Sequence, residues 1–292
     1  MRLFLGGVRG STPASGPEFV RYGGNTSCVA LAHDGEPPTL LLDAGTGLRQ
    51  VSPRLDGAPF EGTLLLGHLH WDHTQGLPFF SAGDNEDARV DLFMPAQGDP
   101  IKVLERMVSP PFFPISPVEL RGKWSFGALE PGSHDFEGFS VSAIEIPHKG
   151  GRTFGYRISD GTATITYMSD HSPIAFGGGP GGLGEYHEAA RSLVANTDLL
   201  IHDSQHTAKE FAELSFLGHS AAEYAVGLGE ACGAGKVLLF HHSPSRTDDE
   251  MDEIVQACQE SYRFPVEAAR DGRTIDLPGI GHKTHHPTGS AY

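Results

Sequence analysis

Gly67-His68-Leu69-His70-Trp71-Asp72-His73-Thr74-Gln75-Gly76 sets three imidazoles and one carboxylate within six positions, directly after the apolar run Thr63-Leu64-Leu65-Leu66. On an extended segment His68 and His70 project to the same side, and a turn beyond them carries Asp72 and His73 round to a neighbouring point. That arrangement suits two adjacent cations, one gripped by His68 and His70, the other by Asp72 and His73. The spacing is specific as a motif. A polar turn with surface histidines is the competing reading, and it is disfavoured because strand-end loops are where α/β proteins carry their chemistry.

Further candidates end other apolar runs. Ile146-Pro147-His148 closes one; Tyr167-Met168-Ser169-Asp170-His171 closes another, where Asp170 could reach both cations with its two oxygens; Leu238-Leu239-Phe240-His241-His242-Ser243-Pro244 closes a third. Each alone is weak, because a lone histidine at a strand end is more often a hydrogen-bonded structural residue. Together, after a four-ligand cluster, they carry weight. Histidine and carboxylate suit Zn²⁺ and also Mn²⁺ or Fe, so two divalent ions are expected, zinc first.

Around these motifs the 292-residue chain reads as α/β. Strands are expected over 1–5, 27–32, 40–43 and 63–67, each bounded by Gly, Pro or Asp, and over 139–146, 155–159, 164–168, 199–201 and 237–240. Helices are expected over 185–195 and 221–232, the second capped by Ser220 and stopped by Gly233. The capping box Thr247-Asp248-Asp249-Glu250 opens a third, running to Tyr262. No linker is evident, so one domain over 1–281 is expected, with 282–292 a histidine-containing tail. The aromatic and Pro-rich stretch between Gly76 and Phe136 is the least constrained. Its Phe79, Phe80, Phe112 and Phe113 read either as an aromatic wall beside a site, or as core or homodimer contacts. In the early Gly-rich loops, Arg9 or Asn25 is a candidate for touching phosphate.

Lys plus Arg number 21 and Asp plus Glu 37, a net charge of −16 with His neutral. That balance repels nucleic-acid phosphates at long range. No run of 18 apolar residues is present, so no membrane span is expected. The apolar start is too short for a secretory signal, and Cys28, Cys232 and Cys258 are too scattered for a disulfide framework, so a cytoplasmic location is expected.

With these motifs on view, the chain resembles the metallo-β-lactamase superfamily over nearly its whole length. The resemblance implies an αββα four-layer sandwich with a two-metal site along one edge. It implies His68, His70, Asp72, His73, His148, Asp170 and His241 as ligands, His241 being preferred to His242 from the placing of Ser243-Pro244. Asp43, in Leu41-Leu42-Asp43-Ala44-Gly45, would support the metal loop without binding metal. No cysteine adjoins the ligands, and the all-His/Asp set resembles the phosphodiesterase branch, including ribonuclease Z and cyclic-phosphate phosphodiesterases. Leu199-Leu200-Ile201-His202-Asp203-Ser204 is similar to a ribonuclease Z segment, with Asp203 where a Glu is usual. Gly218-His219-Ser220 resembles the motif whose histidine protonates the leaving oxygen.

The resemblance therefore implies a phosphodiesterase with a metal-bridging hydroxide as nucleophile, Asp72 orienting it, and His219, steered by Asp203, as general acid. Only 21 residues separate His148 from Asp170, and Ser159-Asp160-Gly161 signals a hairpin among them. That leaves no room for the protruding arm with which ribonuclease Z grips RNA. A small or cyclic phosphodiester is the expected substrate, and nucleic acid is not. Hydrolysis of a carboxylic ester, lactone or thioester, or a ribonuclease Z-like activity, are the alternatives, because one fold hosts several chemistries. A non-catalytic metal-binding protein is the least favoured.

Overall fold

The computed structural model describes residues 1–277; the expected tail at 282–292 lies outside them. Six strands open the chain: β1 (Arg2–Gly7), β2 (Cys28–Ala32), β3 (Leu40–Leu42), β4 (Glu61–Leu65), β5 (Arg89–Pro95) and β6 (Lys123–Leu129). Seven more follow: β7 (Gly132–Phe136), β8 (Phe139–Ile146), β9 (Thr153–Ser159), β10 (Thr164–Met168), β11 (Leu199–Asp203), β12 (Val237–Phe240) and β13 (Val266–Ala268). Finally β14 (Thr274–Asp276) pairs antiparallel with β1. Two seven-stranded mixed sheets result, ordered β14-β1-β2-β3-β4-β5-β6 and β13-β12-β11-β10-β9-β8-β7.

Alternation along the strands dictates the layers. Leu3 and Leu5, Leu40 and Leu42, Ile165 and Tyr167, Leu199 and Ile201, and Leu238 and Phe240 fill the space between the sheets. Their immediate neighbours Phe4, Leu41, Met168, Leu200 and Leu239 pack outward, under covering layers. Strands buried on both faces read as continuous apolar runs, which is why these segments are legible in the sequence. Over the second sheet lie the helices α2 (Glu188–Val194), α3 (Ala208–Leu214), α4 (Ala222–Ala231) and α5 (Asp248–Tyr262). The first sheet is covered differently, by short 3₁₀ turns carrying Leu48, Val51, Leu55 and Leu77, with Leu104 from the single helix α1 (Pro100–Glu105). The four-layer sandwich is thus present with one thin outer layer. Among the described residues no helix is long and apolar enough to cross a membrane.

Several local expectations are corrected. Ser220 does not cap α4, whose N-cap is Ala221; its hydroxyl donates to the His171 carbonyl at 2.7 Å instead. The α2 helix begins at Glu188, three residues late, because His187 is its N-cap and accepts from Ala190 N–H. The stretch between Gly76 and Phe136 holds β5, β6 and most of β7. β6 and β7 are edge strands with few buried positions, so their sequence lacks the apolar signal. The capping box at Thr247 and Glu250 forms as read.

Arg9 is a structural staple and not a phosphate contact. It is 0% exposed. Its Nε and Nη2 donate to the Gly23 carbonyl, and its Nη1 donates to those of Ser243 (3.0 Å) and Arg246 (2.8 Å). Asn25 likewise spends its amide on Asp271, at 3.0 Å. The guanidinium thereby ties the first Gly-rich loop to the loop following β12, next to His241. Arg9→Met should lower stability by roughly 3 kcal/mol or more, since three carbonyls lose their donor inside the protein. Urea unfolding checks this; a loss below about 1 kcal/mol would show that water or neighbouring donors satisfy those carbonyls.

Candidate metal centre

Strands β3 and β4, and β10 to β13, run parallel within their sheets. Their carboxyl ends therefore lie along one edge of the sandwich, the usual place for a site in α/β sheets. Asp43 follows β3, His68 follows β4, Asp170 follows β10, Asp203 ends β11 and His241 follows β12. His148 arrives from the end of β8. Asp43 (φ 60°) and His241 (φ 57°) both adopt the left-handed conformation, which turns each strand end abruptly into the site. Gly10 packs against the His241 ring so closely that a Cβ there would lie 2.5 Å from its Cδ2, so only glycine fits.

All seven proposed ligands converge. His68, His70 and His148 form one group whose nitrogens could hold a cation; Asp72, His73, Asp170 and His241 form a second. Asp170 lies between them: its Oδ2 is 3.0 Å from His73 Nε2, and its Oδ1 is 3.2 Å from His241 Nε2, 3.6 Å from His148 Nε2 and 3.8 Å from His68 Nε2. Asp72 Oδ2 accepts the Ser11 backbone N–H at 2.8 Å and lies 3.2 Å from His73 Nε2. His242 points away, hydrogen-bonded to the Ala269 carbonyl at 2.9 Å, so the two adjacent histidines separate into one cluster member and one structural residue.

A supporting ring fixes these side chains. Buried Asp43 accepts from Gly67 N–H through Oδ1, and from His73 Nδ1 and the Tyr167 hydroxyl, each at 2.7 Å, through Oδ2. That grip turns His73 Nε2 toward the cluster. His148 Nδ1 donates to the Gly218 carbonyl at 2.7 Å, and Ser27 Oγ lies 3.3 Å from His241 Nδ1. Ser11, Ser27 and Tyr167 are contributors that the sequence did not reveal, since single hydroxyls and a backbone N–H leave no pattern.

The donor set fits divalent cations by a direct observation. His68 Nε2, His73 Nε2, His241 Nε2 and Asp170 Oδ2 are all buried without a hydrogen-bond partner. Buried polar atoms are rarely left so, and four pointing at one another constitute a site that a cation completes. Burial drives the His68 imidazole well below its ordinary range, into the neutral form that can coordinate. Burial would raise the Asp170 carboxyl, but the facing His241 and His73 hold it well below the usual range.

Beside the cluster, His219 Nδ1 donates to Asp203 Oδ2 at 3.0 Å, and the same oxygen accepts the backbone N–H groups of Ser220 and His171. Shortened from the usual Glu, Asp203 still reaches its histidine. Burial opposes the charge on His219, but Asp203 prevails and pushes it up to about 9. A pocket of about 350 Å³ opens over the cluster, lined by Ser11, Leu69, His70, Trp71, Asp72, Asp170, His219 and His241.

The chain belongs to the β-lactamase superfamily, in its metallo-β-lactamase form: the β-lactamase superfamily domain matches residues 39–242. Fold and His/Asp cluster together define a metallo-hydrolase of that fold. Among curated relatives, the ribonuclease Z of Natronomonas pharaonis is 23% identical over 303 residues, covering 87% of this chain and 92% of that protein. The ribonuclease Z of Myxococcus xanthus is 35% identical over 83 residues, a match spanning 28% of this chain and only 27% of that protein. Among solved structures, the metallo-β-lactamase fold protein YhfI from Bacillus subtilis superposes with a TM-score of 0.70 at 17% identity, over 94% of this chain and 99% of its own. The short form of human tRNase Z gives 0.62 at 21% identity, over 95% and 100%. These structural likenesses establish the fold.

Asp43→Asn removes the negative charge behind His73 and leaves one acceptor oxygen for the three donors of Gly67, His73 and Tyr167. Retention of Zn²⁺, measured by equilibrium dialysis, should weaken roughly 10- to 100-fold. Unchanged retention would mean that His73 takes no part in holding the ion.

Proposed function

We propose that this chain is a two-metal phosphodiesterase acting on a small or cyclic phosphodiester. His68, His70 and His148 would hold one divalent ion and Asp72, His73 and His241 the other, with Asp170 shared between them; zinc is the first choice. Bound there, such ions supply Lewis acidity, lowering the pKa of water and offsetting charge that builds on phosphoryl oxygens. The rest is the work of the chain's own groups. Asp72, anchored by the Ser11 N–H, presents its carboxylate at the pocket floor, where it orients the attacking water. His219 passes a proton to the departing oxygen from Nε2, because Asp203 occupies its Nδ1–H.

The single observation that carries this reading is the Asp203–His219 pair beside the cation cluster, in which buried Asp203 holds a His219 that lines the same pocket. A charged imidazole within reach of the reacting centre serves an oxygen leaving group, which needs a proton. Two further observations favour a small substrate. The net charge of −16 opposes a polyanion. Residues between His148 and Asp170 form only the antiparallel β9–β10 hairpin, so no arm rises there to hold RNA.

Ribonuclease Z-like cleavage is the second reading, favoured by the similarity to the Natronomonas pharaonis enzyme over 87% of this chain. A panel of bis(4-nitrophenyl) phosphate, a cyclic nucleotide, a lactone and a pre-tRNA, offered to Zn²⁺- and Mn²⁺-loaded protein, separates these readings. Cleavage of the phosphodiesters is expected; efficient processing of the pre-tRNA alone would transfer the assignment to the second reading, and cleavage of the lactone alone would overturn both. His219→Ala should lower kcat on a cleaved diester by roughly 100-fold or more with metal content unchanged. Loss of metal instead would place His219 among the ligands, which its proximity to His148 and Asp170 permits.

A further inference from the structure

A second cavity, of about 930 Å³, adjoins the candidate metal pocket, and Trp71 lines both. Trp71 stands between His70 and Asp72 in the metal motif, yet it is 75% exposed. Phe112 (78%) and Phe79 (60%) are exposed on the walls of the same groove, and Phe113 meets Phe79 edge-on with ring centroids 5.9 Å apart. Phe80, one residue along, is fully buried under the first sheet. The aromatic cluster noted in the sequence therefore divides: one ring serves the core and three line a groove open to water. Exposed aromatic rings gathered in one concave place mark a binding surface.

The charges in this groove point the same way. Arg49 and Arg106 line it, both exposed, and among the described residues neither has a carboxylate within ion-pairing distance. Of the fifteen arginines, Arg2, Arg21, Arg89, Arg121, Arg152, Arg246 and Arg273 have carboxylate partners, and Arg9, Arg54, Arg157 and Arg270 donate to carbonyls or a hydroxyl; Arg49 and Arg106, like Arg191 and Arg263 elsewhere on the surface, have neither among the described residues. Two guanidinium groups left free beside three aromatic rings complement a ligand that is both flat and anionic.

We propose that this groove is the specificity subsite for the non-reacting arm of the substrate, and that the arm is an aromatic group carrying an anionic substituent. The proposal rests on the hydrolytic reading of the adjoining pocket. The arm's ring stacks on Trp71 and packs against Phe79 and Phe112, while its anionic group pairs with Arg49 and Arg106. Continuity through Trp71 makes the occupant part of the molecule being cleaved: an arm lying in the groove borders, across Trp71, the pocket that opens over the cation cluster.

Three diesters sharing a 4-nitrophenolate leaving group test this on metal-replete protein: methyl, phenyl and 4-carboxyphenyl 4-nitrophenyl phosphate. The kcat/KM is expected to rise roughly 5- to 100-fold from methyl to phenyl, the range of aromatic stacking, and about 10-fold again with the carboxylate. Phe79→Ala/Phe112→Ala should collapse the phenyl-to-methyl ratio, and Arg49→Ala/Arg106→Ala the carboxyphenyl-to-phenyl ratio. All four side chains lie at the surface of the groove, and circular dichroism verifies that the variants fold. A second arm needs no turnover: binding of the aromatic anion 8-anilino-1-naphthalenesulfonate, followed by its fluorescence, should weaken about 5-fold or more in both double variants. Diesters cleaved with both ratios unchanged by the variants would overturn the subsite and leave the phosphodiesterase reading standing. Weakened dye binding in a protein that cleaves no diester would overturn that reading and support the groove as a site for aromatic anions. A dimer in sedimentation that dissociates in the Phe79→Ala/Phe112→Ala variant would show the groove to be an interface between copies, and overturn the proposal.

Discussion

Asp170 is a buried carboxylate whose two oxygens face His73, His241, His148 and His68, with His219 3.7 Å away. A charge removed from water in this way is tolerated only where opposite charge compensates it. Asp43, Asp72 and Asp203 are buried around it too, each engaged by an imidazole or a backbone N–H. The edge of the sandwich is thus built as a store of negative charge and unpartnered nitrogen atoms. Such a set is at odds with a folded core unless positive charge completes it, and that requirement accounts for both its fit to divalent cations and the density of supporting hydrogen bonds behind it.

The fold meets this requirement through its strand ends. Parallel strands bring their carboxyl termini to one edge, so β3, β10, β11 and β12 contribute Asp43, Asp170, Asp203 and His241 and β4 the His68–His73 group, without any long loop. The left-handed backbone at Asp43 and His241 turns the chain sharply where a side chain must enter the cluster. Behind them the apolar rows of both sheets pack continuously, and this rigid base holds polar groups in positions they would not choose alone. The loops are held separately. Arg9 fastens the Gly-rich first loop to the turn after β12, which keeps Ser11 over Asp72 and Gly10 against His241.

A further buried chain of imidazoles lies behind Asp203. His202 Nε2 and His171 Nδ1 are 3.1 Å apart, and His171 Nε2 is 2.7 Å from half-buried His187. These contacts lock the segment after β10, whose His171 backbone also holds Asp203 and Ser220. They explain why Ser220 is drawn away from the helix it was expected to cap: its hydroxyl closes the link between the loop bearing His219 and the segment after β10 that bears Asp170.

The sequence alone determined the cation-binding character of the protein, because His68 to His73 follow one another in six positions and local spacing suffices to specify their chemistry. It also determined the buried strands and α5, whose apolar rows and capping box are local signals. The resemblance already preferred His241 to His242, and the tertiary structure shows why, turning His242 to the Ala269 carbonyl; only the tertiary structure separated Phe80 from Phe79 and Phe112, and Arg9 from the groove arginines. Adjacent residues of one type share their chemistry and neighbourhood in the sequence. What distinguishes them is which way a single bond points once distant strands have packed, and that depends on contacts hundreds of residues apart.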